Sequence, residues 1–250
     1  NLQNFPFGKL PLPSEAPWHE PLSLLTMIAS NTSKIKLATA ILIAPLRNPA
    51  LLAKTVATLD AISKGRLELG VGLGWQKEEF DAAGVSFEDR TEIFWETLDI
   101  CKLLWHDSPI SFHGKHFNFD DIWCHPQPIQ GQDLPLLFGL KMTHENAQRI
   151  AKVGHGWIPI KTSRDFISAG REILSEAFMK EDRQDQPRIR GQLPTCVDEN
   201  GVPNIDLTLK ELEKSMAAGL DEIEVFPINF VQAPDDIYKV LQLISEVKKS

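Results

Sequence analysis

The stretch of sequence that decides the fold is residues 34–80, KIKLATAILIAPLRNPALLAKTVATLDAISKGRLELGVGLGWQKEEF. Residues 34–43 are apolar at nearly every position, which is typical of a parallel strand that is buried on both faces. Pro49 then opens a helix over 50–62, where the apolar side chains form one stripe. A strand follows at 66–71. The stretch therefore predicts two parallel strands joined by a helical crossover.

The same alternation of buried strands and amphipathic helices continues to the end of the chain. Strands are predicted at 35–43, 66–71, 134–140, 156–160, 189–194 and 222–227. Helices are predicted from about Pro21 and at 50–62, 89–105, 143–153, 163–179, 207–218 and 234–247, with Thr143 and Ser163 as caps and Gly65 as a stop. Six strand–helix units in alternation predict an α/β fold with a parallel sheet. Their number fits an open doubly wound sheet or most of an eight-stranded barrel.

Composition and charge restrict the classes of function. The 250 residues carry a formal net charge of −8, and no run of lysine or arginine offers a surface for nucleic acid. No apolar stretch approaches the roughly 20 residues that a membrane helix needs. Three scattered cysteines, Cys101, Cys124 and Cys196, fit a reducing compartment with unpaired thiols. Residues 1–13 lack a signal-peptide pattern, so we expect a cytoplasmic protein without nucleic-acid or membrane partners.

A glycine-rich segment, GVGLGW at 70–75, overlaps the end of the strand at 66–71. Its spacing is G-x-G-x-G, and it lacks the later glycine that a dinucleotide fingerprint requires. The segment therefore predicts a tight turn, for which glycine is suited because it has no Cβ atom. Active sites of barrels lie on turns at the carboxyl ends of strands, so Trp75 and Glu78 are expected near a cleft.

One long interruption, residues 106–133, separates a helix from the next strand and contains a predicted hairpin around 111–119. Histidines cluster there, but their spacing matches no zinc site, so no metal is expected. Serine-nucleophile chemistry is also not indicated, because the G-x-S-x-G pattern is missing. Long functional loops concentrate at barrel mouths, so we expect the interruption to form a lid or a substrate wall.

Three segments resemble the bacterial-luciferase-like monooxygenases and their deazaflavin-dependent relatives. They are residues 34–80, the segment HGKHFNFDDIWCHPQPIQ at 113–130 and the segment LPLLFGLKMTHENAQRIAKVGHGWIPI at 134–160. The resemblance implies a TIM (β/α)₈ barrel of luciferase-like type. It also implies that residues 1–250 form a single barrel domain, with the family's insertion at about 106–133.

Members of that family begin with a strand, a helix and a second strand, whereas no strand is predicted before Lys34. We therefore expect a barrel without its first strand–helix–strand in this chain. A strand edge at 37–41 would then be open, and we expect residues 1–21 or a partner chain to cover it. The family's active-site histidine lies at the end of the second strand, so no catalytic residue is assigned.

The resemblance implies a cofactor, which is either reduced FMN or the deazaflavin coenzyme F420. With FMN the family transfers an oxygen atom to a small organic substrate, and with the deazaflavin it transfers a hydride. A bulge with a cis peptide bond at Ala40–Ile41 would support the ring, and the loop 139–143 would bind the phosphate. The cofactor-binding residues expected in all are Thr39, Ala40, Ile41, Trp75, Glu78, Gly139, Leu140, Lys141, Thr143, Trp157, Ile158, Pro159 and Lys161.

Other interpretations stay open. From the residues alone, 139–143 also fits a plain loop capped by Thr143, and Trp157 fits a core side chain. A NAD(P)-dependent dehydrogenase on a doubly wound sheet is one alternative function, although it needs the missing fingerprint. A non-catalytic barrel subunit is the other. The resemblance also leads us to expect a homodimer.

Overall fold

The computed structural model describes residues 17–231 and 236–246, and the chain divides into two compact units between Leu136 and Leu137. The single domain expected over 1–250 stays a prediction. The expectation that residues 1–21 or a partner chain cover the strand edge at 37–41 also stays a prediction, because residues 1–16 lie outside the described part of the chain. Every helix within 17–231 and 236–246 is too short or too polar to span a bilayer.

Strands and helices follow one another along both units. The first unit contains helices α1 (Pro21–Asn31), α2 (Pro49–Ser63), α3 (Lys77–Ala83) and α4 (Arg90–His106), and strands β1 (Leu37–Ala38), β2 (Leu42–Ile43), β3 (Leu67–Gly72), β4 (Ile110–His113) and β5 (Asn118–Ile122). The second unit, which β6 opens, contains helices α5 (His144–Val153), α6 (Arg164–Lys180), α7 (Ile205–Ala217) and α8 (Ile237–Ser245), and strands β6 (Leu136–Gly139), β7 (Gly156–Trp157), β8 (Arg188–Gln192) and β9 (Glu222–Glu224).

In the first unit, all six residues of β3 are buried, including Glu68, as is typical of a strand inside a parallel sheet. β1 and β2 both pair with β3 in parallel, with Ala38 opposite Glu68 and Leu42 opposite Val71. From Ala38 to Leu42 the chain advances four residues, whereas from Glu68 to Val71 on β3 it advances three. One extra residue therefore forms a bulge. The strand predicted as continuous over 35–43 is interrupted there, because a run of apolar residues carries no signal for a break in the ladder.

Helix α2 has well-defined ends. The side chain of Asn48 accepts hydrogen bonds from the amides of the second and third helical residues at 3.1 and 3.2 Å, and Pro49 occupies the first helical position. At the other end Lys64 and Gly65 adopt left-handed conformations, with φ of 58° and 75°. The predicted stop at Gly65 is thus confirmed.

The insertion after α4 contains the predicted hairpin. β4 and β5 pair antiparallel, with Phe112 opposite Phe119, which confirms the hairpin near 111–119. Helix α3 was not predicted, because Phe80 is its only buried residue and one buried residue gives no apolar stripe. The three cysteines are free thiols, as expected.

In the second unit, β6, β7, β8 and β9 are parallel, and each pairs with the next in chain order. A (β/α)₈ barrel has this sequential order, whereas a doubly wound sheet reverses its order at a switch point. β7 ends at Trp157 rather than at the predicted residue 160. Pro159 has no amide hydrogen for a ladder, which explains why the strand is short.

One predicted helix start and one predicted capping hydrogen bond need correction. Helix α7 begins at Ile205 rather than 207, because the side chain of Asn204 accepts a capping hydrogen bond from the Leu207 amide at 3.0 Å. Ser163 occupies the cap position of α6, but its side chain makes no capping hydrogen bond. The helix predicted at 234–247 lies partly outside the described residues.

Candidate functional site

In the first unit, the candidate site is the bulge between β1 and β2. Thr39 is 4% exposed, and its hydroxyl donates to the Gly70 carbonyl oxygen at 2.7 Å and accepts from the Gly70 amide at 3.0 Å. The side chain thus replaces the ladder hydrogen bonds where β1 stops. The Ala40–Ile41 peptide bond is cis, as the resemblance implies. Ala40 is exposed and Ile41 is half-buried, so the bulge presents backbone near the carboxyl end of the strand.

The turn after β3 carries the other two candidate residues of the first unit. Gly74 has a φ of +79°, and a Cβ atom on it would lie 2.7 Å from Cγ2 of Ile43. Glycine is therefore required at this position, which agrees with the tight turn predicted for the glycine-rich segment at 70–75. Trp75 is half-buried and Glu78 is exposed in the first turn of α3. A hydrogen bond from its own backbone amide lowers the pKa of Glu78.

In the second unit, the candidate site is the loop between β6 and α5, residues 139–143. The hydroxyl of Thr143 accepts a hydrogen bond from the Asn146 amide at 3.2 Å, which confirms the predicted cap. The Asn146 side chain donates to the Lys141 carbonyl oxygen at 2.9 Å. Gly139 is half-buried, Leu140 is buried and Lys141 is exposed.

This loop presents unpaired backbone donors. The amides of Lys141, Met142, His144 and Glu145 face no hydrogen-bond acceptor in the described part of the chain. The last two belong to the first turn of α5, where the helix dipole favours negative charge. Backbone donors at a helix start beside a lysine form a donor set suited to a phosphate group.

The end of β7 and the segment that follows it contribute four further candidate residues. Trp157 is 1% exposed, and its indole Nε1–H donates to the Leu140 carbonyl oxygen at 2.8 Å. It therefore lies in the core and contacts the loop through this hydrogen bond. Ile158 is half-buried, Pro159 is buried and Lys161 is exposed. Direct contact of these four residues with a cofactor stays a prediction.

Sequence reasoning missed Asn146, which contacts the loop through both its side chain and its amide. The available signal was an asparagine three residues after a capping threonine, at a spacing where side chain and loop backbone meet. It also missed an ion cluster on β8 and β9, where Arg188 and Arg190 both bind the carboxylate of Glu222. Burial raises the pKa of the neighbouring Glu224 to about 7, against the effect of Arg190.

One group of side chains in the first unit could hold a metal ion. Ligand atoms of Asp89, Glu92 and His116 lie within 4.8 Å of one another. Glu92 is already paired with His116 at 3.0 Å and with Lys115 at 2.5 Å. The ammonium group of Lys115 competes with a cation for Glu92, and the absence of a metal stays a prediction.

Comparison with known proteins assigns the family. The protein-family model described as luciferase-like monooxygenase matches residues 6–201 of this chain. The chain belongs to this family. The resemblance inferred from residues 34–80, 113–130 and 134–160 is thereby confirmed.

Curated relatives of this luciferase-like protein include enzymes named for two cofactors. An uncharacterized protein of Mycobacterium tuberculosis is 33% identical over 168 residues, which are 63% of this chain and 59% of the relative. The F420-dependent glucose-6-phosphate dehydrogenase of Kineococcus radiotolerans is 29% identical over 196 residues, which are 73% and 55% of the two chains. The FMNH2-dependent dimethylsulfone monooxygenase of Pseudomonas putida is 35% identical over 115 residues, 45% and 31%. The chain thus spans about 59% of the length of the first of these relatives.

Solved structures show the fold. An F420-dependent secondary alcohol dehydrogenase in complex with an F420–acetone adduct has a TM-score of 0.80 at 17% identity, over 94% of this chain and 86% of the other. The oxygenating constituent of the Pseudomonas putida 3,6-diketocamphane monooxygenase, with FMN, has a TM-score of 0.69 at 15% identity, over 91% and 80%. The luciferase-like TIM-barrel fold is confirmed, and the doubly wound alternative is wrong.

Proposed function

We propose that this protein binds a reduced flavin coenzyme, FMN or F420, and uses it to oxidise or reduce a small organic substrate. The observation that carries the proposal is the loop between β6 and α5. Its free amides lie beside Lys141 in a chain of the luciferase-like monooxygenase family. Relatives named for FMNH2 and for F420 support a flavin-type cofactor rather than a nicotinamide.

The donor set of this loop fits the phosphate group that both cofactors carry. Amide hydrogens supply directed hydrogen bonds, the helix start supplies a partial positive charge, and Lys141 supplies a full one. A hydrogen bond to a charged group contributes about 1.5–3 kcal/mol. Lys161, which is also exposed, is the second cation proposed to bind this phosphate.

In the first unit, we assign the residues around the bulge to the cofactor ring. The backbone at Thr39–Ile41 would support the ring, and Trp75 and Glu78 would line its surroundings. When bound, the cofactor supplies either oxygen activation, for FMN, or hydride transfer, for F420. The chain's own residues bind and orient that group and exclude water from it. The homodimer and the cytoplasmic location stay predictions.

Titration of the purified protein with FMN, F420 and NADPH tests this proposal. We expect saturable binding of one flavin-type cofactor, followed by fluorescence, and no saturable binding of NADPH. Tight NADPH binding without flavin binding would overturn the choice of cofactor. Absence of binding by all three would instead favour the non-catalytic barrel subunit.

A further inference from the structure

We propose that Trp157 and Asn146 are positioning residues that turn the amides of the loop between β6 and α5 toward the cofactor phosphate. The inference rests on the phosphate assignment under the proposed function. It adds the residues that shape the loop, neither of which needs to touch the cofactor.

Both residues hold carbonyl oxygens of the loop. The indole Nε1–H of Trp157 donates to the Leu140 carbonyl oxygen at 2.8 Å, and this hydrogen bond is buried. The side-chain amide of Asn146 donates to the Lys141 carbonyl oxygen at 2.9 Å. Two consecutive carbonyl groups of the loop are thus fixed by donors from outside it.

Fixing a carbonyl group also fixes the amide that follows it. In a planar trans peptide the N–H bond points opposite to the C=O bond, and the bonds after Leu140 and Lys141 are trans. The amide of Lys141 therefore points away from the indole of Trp157. By the same rule, the amide of Met142 points away from the side chain of Asn146. These are two of the amides that lack an acceptor in the described residues.

The indole itself has little freedom to move. Its ring packs against Phe166 with centroids 5.6 Å apart. On the opposing helix α6, a Cβ atom at Gly170 would lie 2.2 Å from the indole ring, so a glycine is needed there. A donor held this firmly keeps the Leu140 carbonyl in place before any ligand arrives. Ordering the loop then costs little free energy at the moment of binding.

Asn146 connects the same loop to helix α5. Its backbone amide donates to the hydroxyl of Thr143 while its side chain holds the Lys141 carbonyl group. One residue thus closes the loop at two points. Removal of its side chain breaks only the second contact, which makes Asn146 the better residue for a test.

The test compares ligands with and without a phosphate group. The variants are Asn146→Ala, which removes the exposed donor, and Trp157→Phe, which removes the indole donor and keeps an aromatic ring. Gln148→Ala, an exposed change on the same helix, is the matched control. Dissociation constants are measured for FMN and riboflavin, or for F420 and its phosphate-free riboside if the protein selects the deazaflavin. Thermal melting is recorded for each variant, and Asn146→Ala carries the test if Trp157→Phe does not fold.

We expect each positioning variant to weaken the phosphate-bearing ligand about three- to tenfold, the range for loss of one hydrogen bond. Affinity for the phosphate-free ligand should change less than twofold, and Gln148→Ala should change neither. Equal losses for the two ligands, or no loss for either, would overturn the positioning role. The wild-type protein tests the underlying assignment separately, because equal affinity for both ligands would reject the phosphate site itself.

Discussion

At the scale of the residue, the charge on Lys141 should decide how strongly a phosphate is bound. Lys141→Ala removes a cation beside free amides, and a charged hydrogen bond contributes about 1.5–3 kcal/mol. We therefore expect FMN to bind about ten- to a hundredfold more weakly, whereas riboflavin, which lacks the phosphate, should be affected little. Fluorescence titration of both ligands measures the difference, and Lys161→Ala is tested in the same way.

Lys152→Ala is the control, because Lys152 is an exposed lysine in the last turn of α5, the helix that follows the loop of Lys141. Equal losses for FMN and riboflavin in Lys141→Ala would show that the lysine does not meet the phosphate. If neither Lys141→Ala nor Lys161→Ala weakens FMN, the phosphate lies elsewhere and the assignments for this loop are wrong.

At the scale of the element, helix α2 should depend on its amino-terminal cap. Asn48 accepts two amide hydrogen bonds there, and α4 packs beside the helix, with the Trp105 indole donating to the Ala53 carbonyl at 3.0 Å. Asn48→Ala should lower the free energy of unfolding by about 1 kcal/mol, as cap removal typically does. Chemical denaturation measures this change. Asn48→Asp keeps the acceptor and should stay near wild type, and an alanine variant as stable as wild type would show that the cap contributes nothing.

At the scale of the whole molecule, stability should depend on pH through Glu224. Burial raises the pKa of its carboxyl from the ordinary value of 4.5 to about 7, Arg190 opposes that shift and Glu222 adds to it. One carboxyl oxygen of Glu224 is buried and has no hydrogen-bond partner among residues 17–231 and 236–246. Because the folded pKa lies above the unfolded one, the folded state binds more protons between these values. The contribution of Glu224 is therefore complete below pH 4.5 and is lost as the pH rises to about 7.

Glu224→Gln removes this titration. Between pH 5 and pH 8 the free energy of unfolding should fall in both proteins. Allowing for partial solvent screening, we expect this fall to be about 1–2 kcal/mol smaller in the variant than in wild type. Urea denaturation at several pH values measures the two curves. Parallel curves for wild type and variant would show that Glu224 has no raised pKa.

The sequence alone located most of the strands and helices and carried the resemblance to the family. Buried parallel strands are short, largely apolar runs, and amphipathic helices repeat their apolar residues at every turn, so β3, α2 and α4 were predicted close to their observed bounds. Caps are also local, which is why Thr143 was found. Helix α3, with one buried residue, left no periodic signal.

The tertiary structure alone decided how distant residues meet. The hydroxyl of Thr39 bonds to Gly70, 31 residues away, and the indole of Trp157 bonds to Leu140, 17 residues away. A periodic pattern reports that a side chain is buried, but not which polar group faces it. That choice depends on strand register and on the packing of neighbouring helices, which fix the position of a side chain only after the elements have assembled.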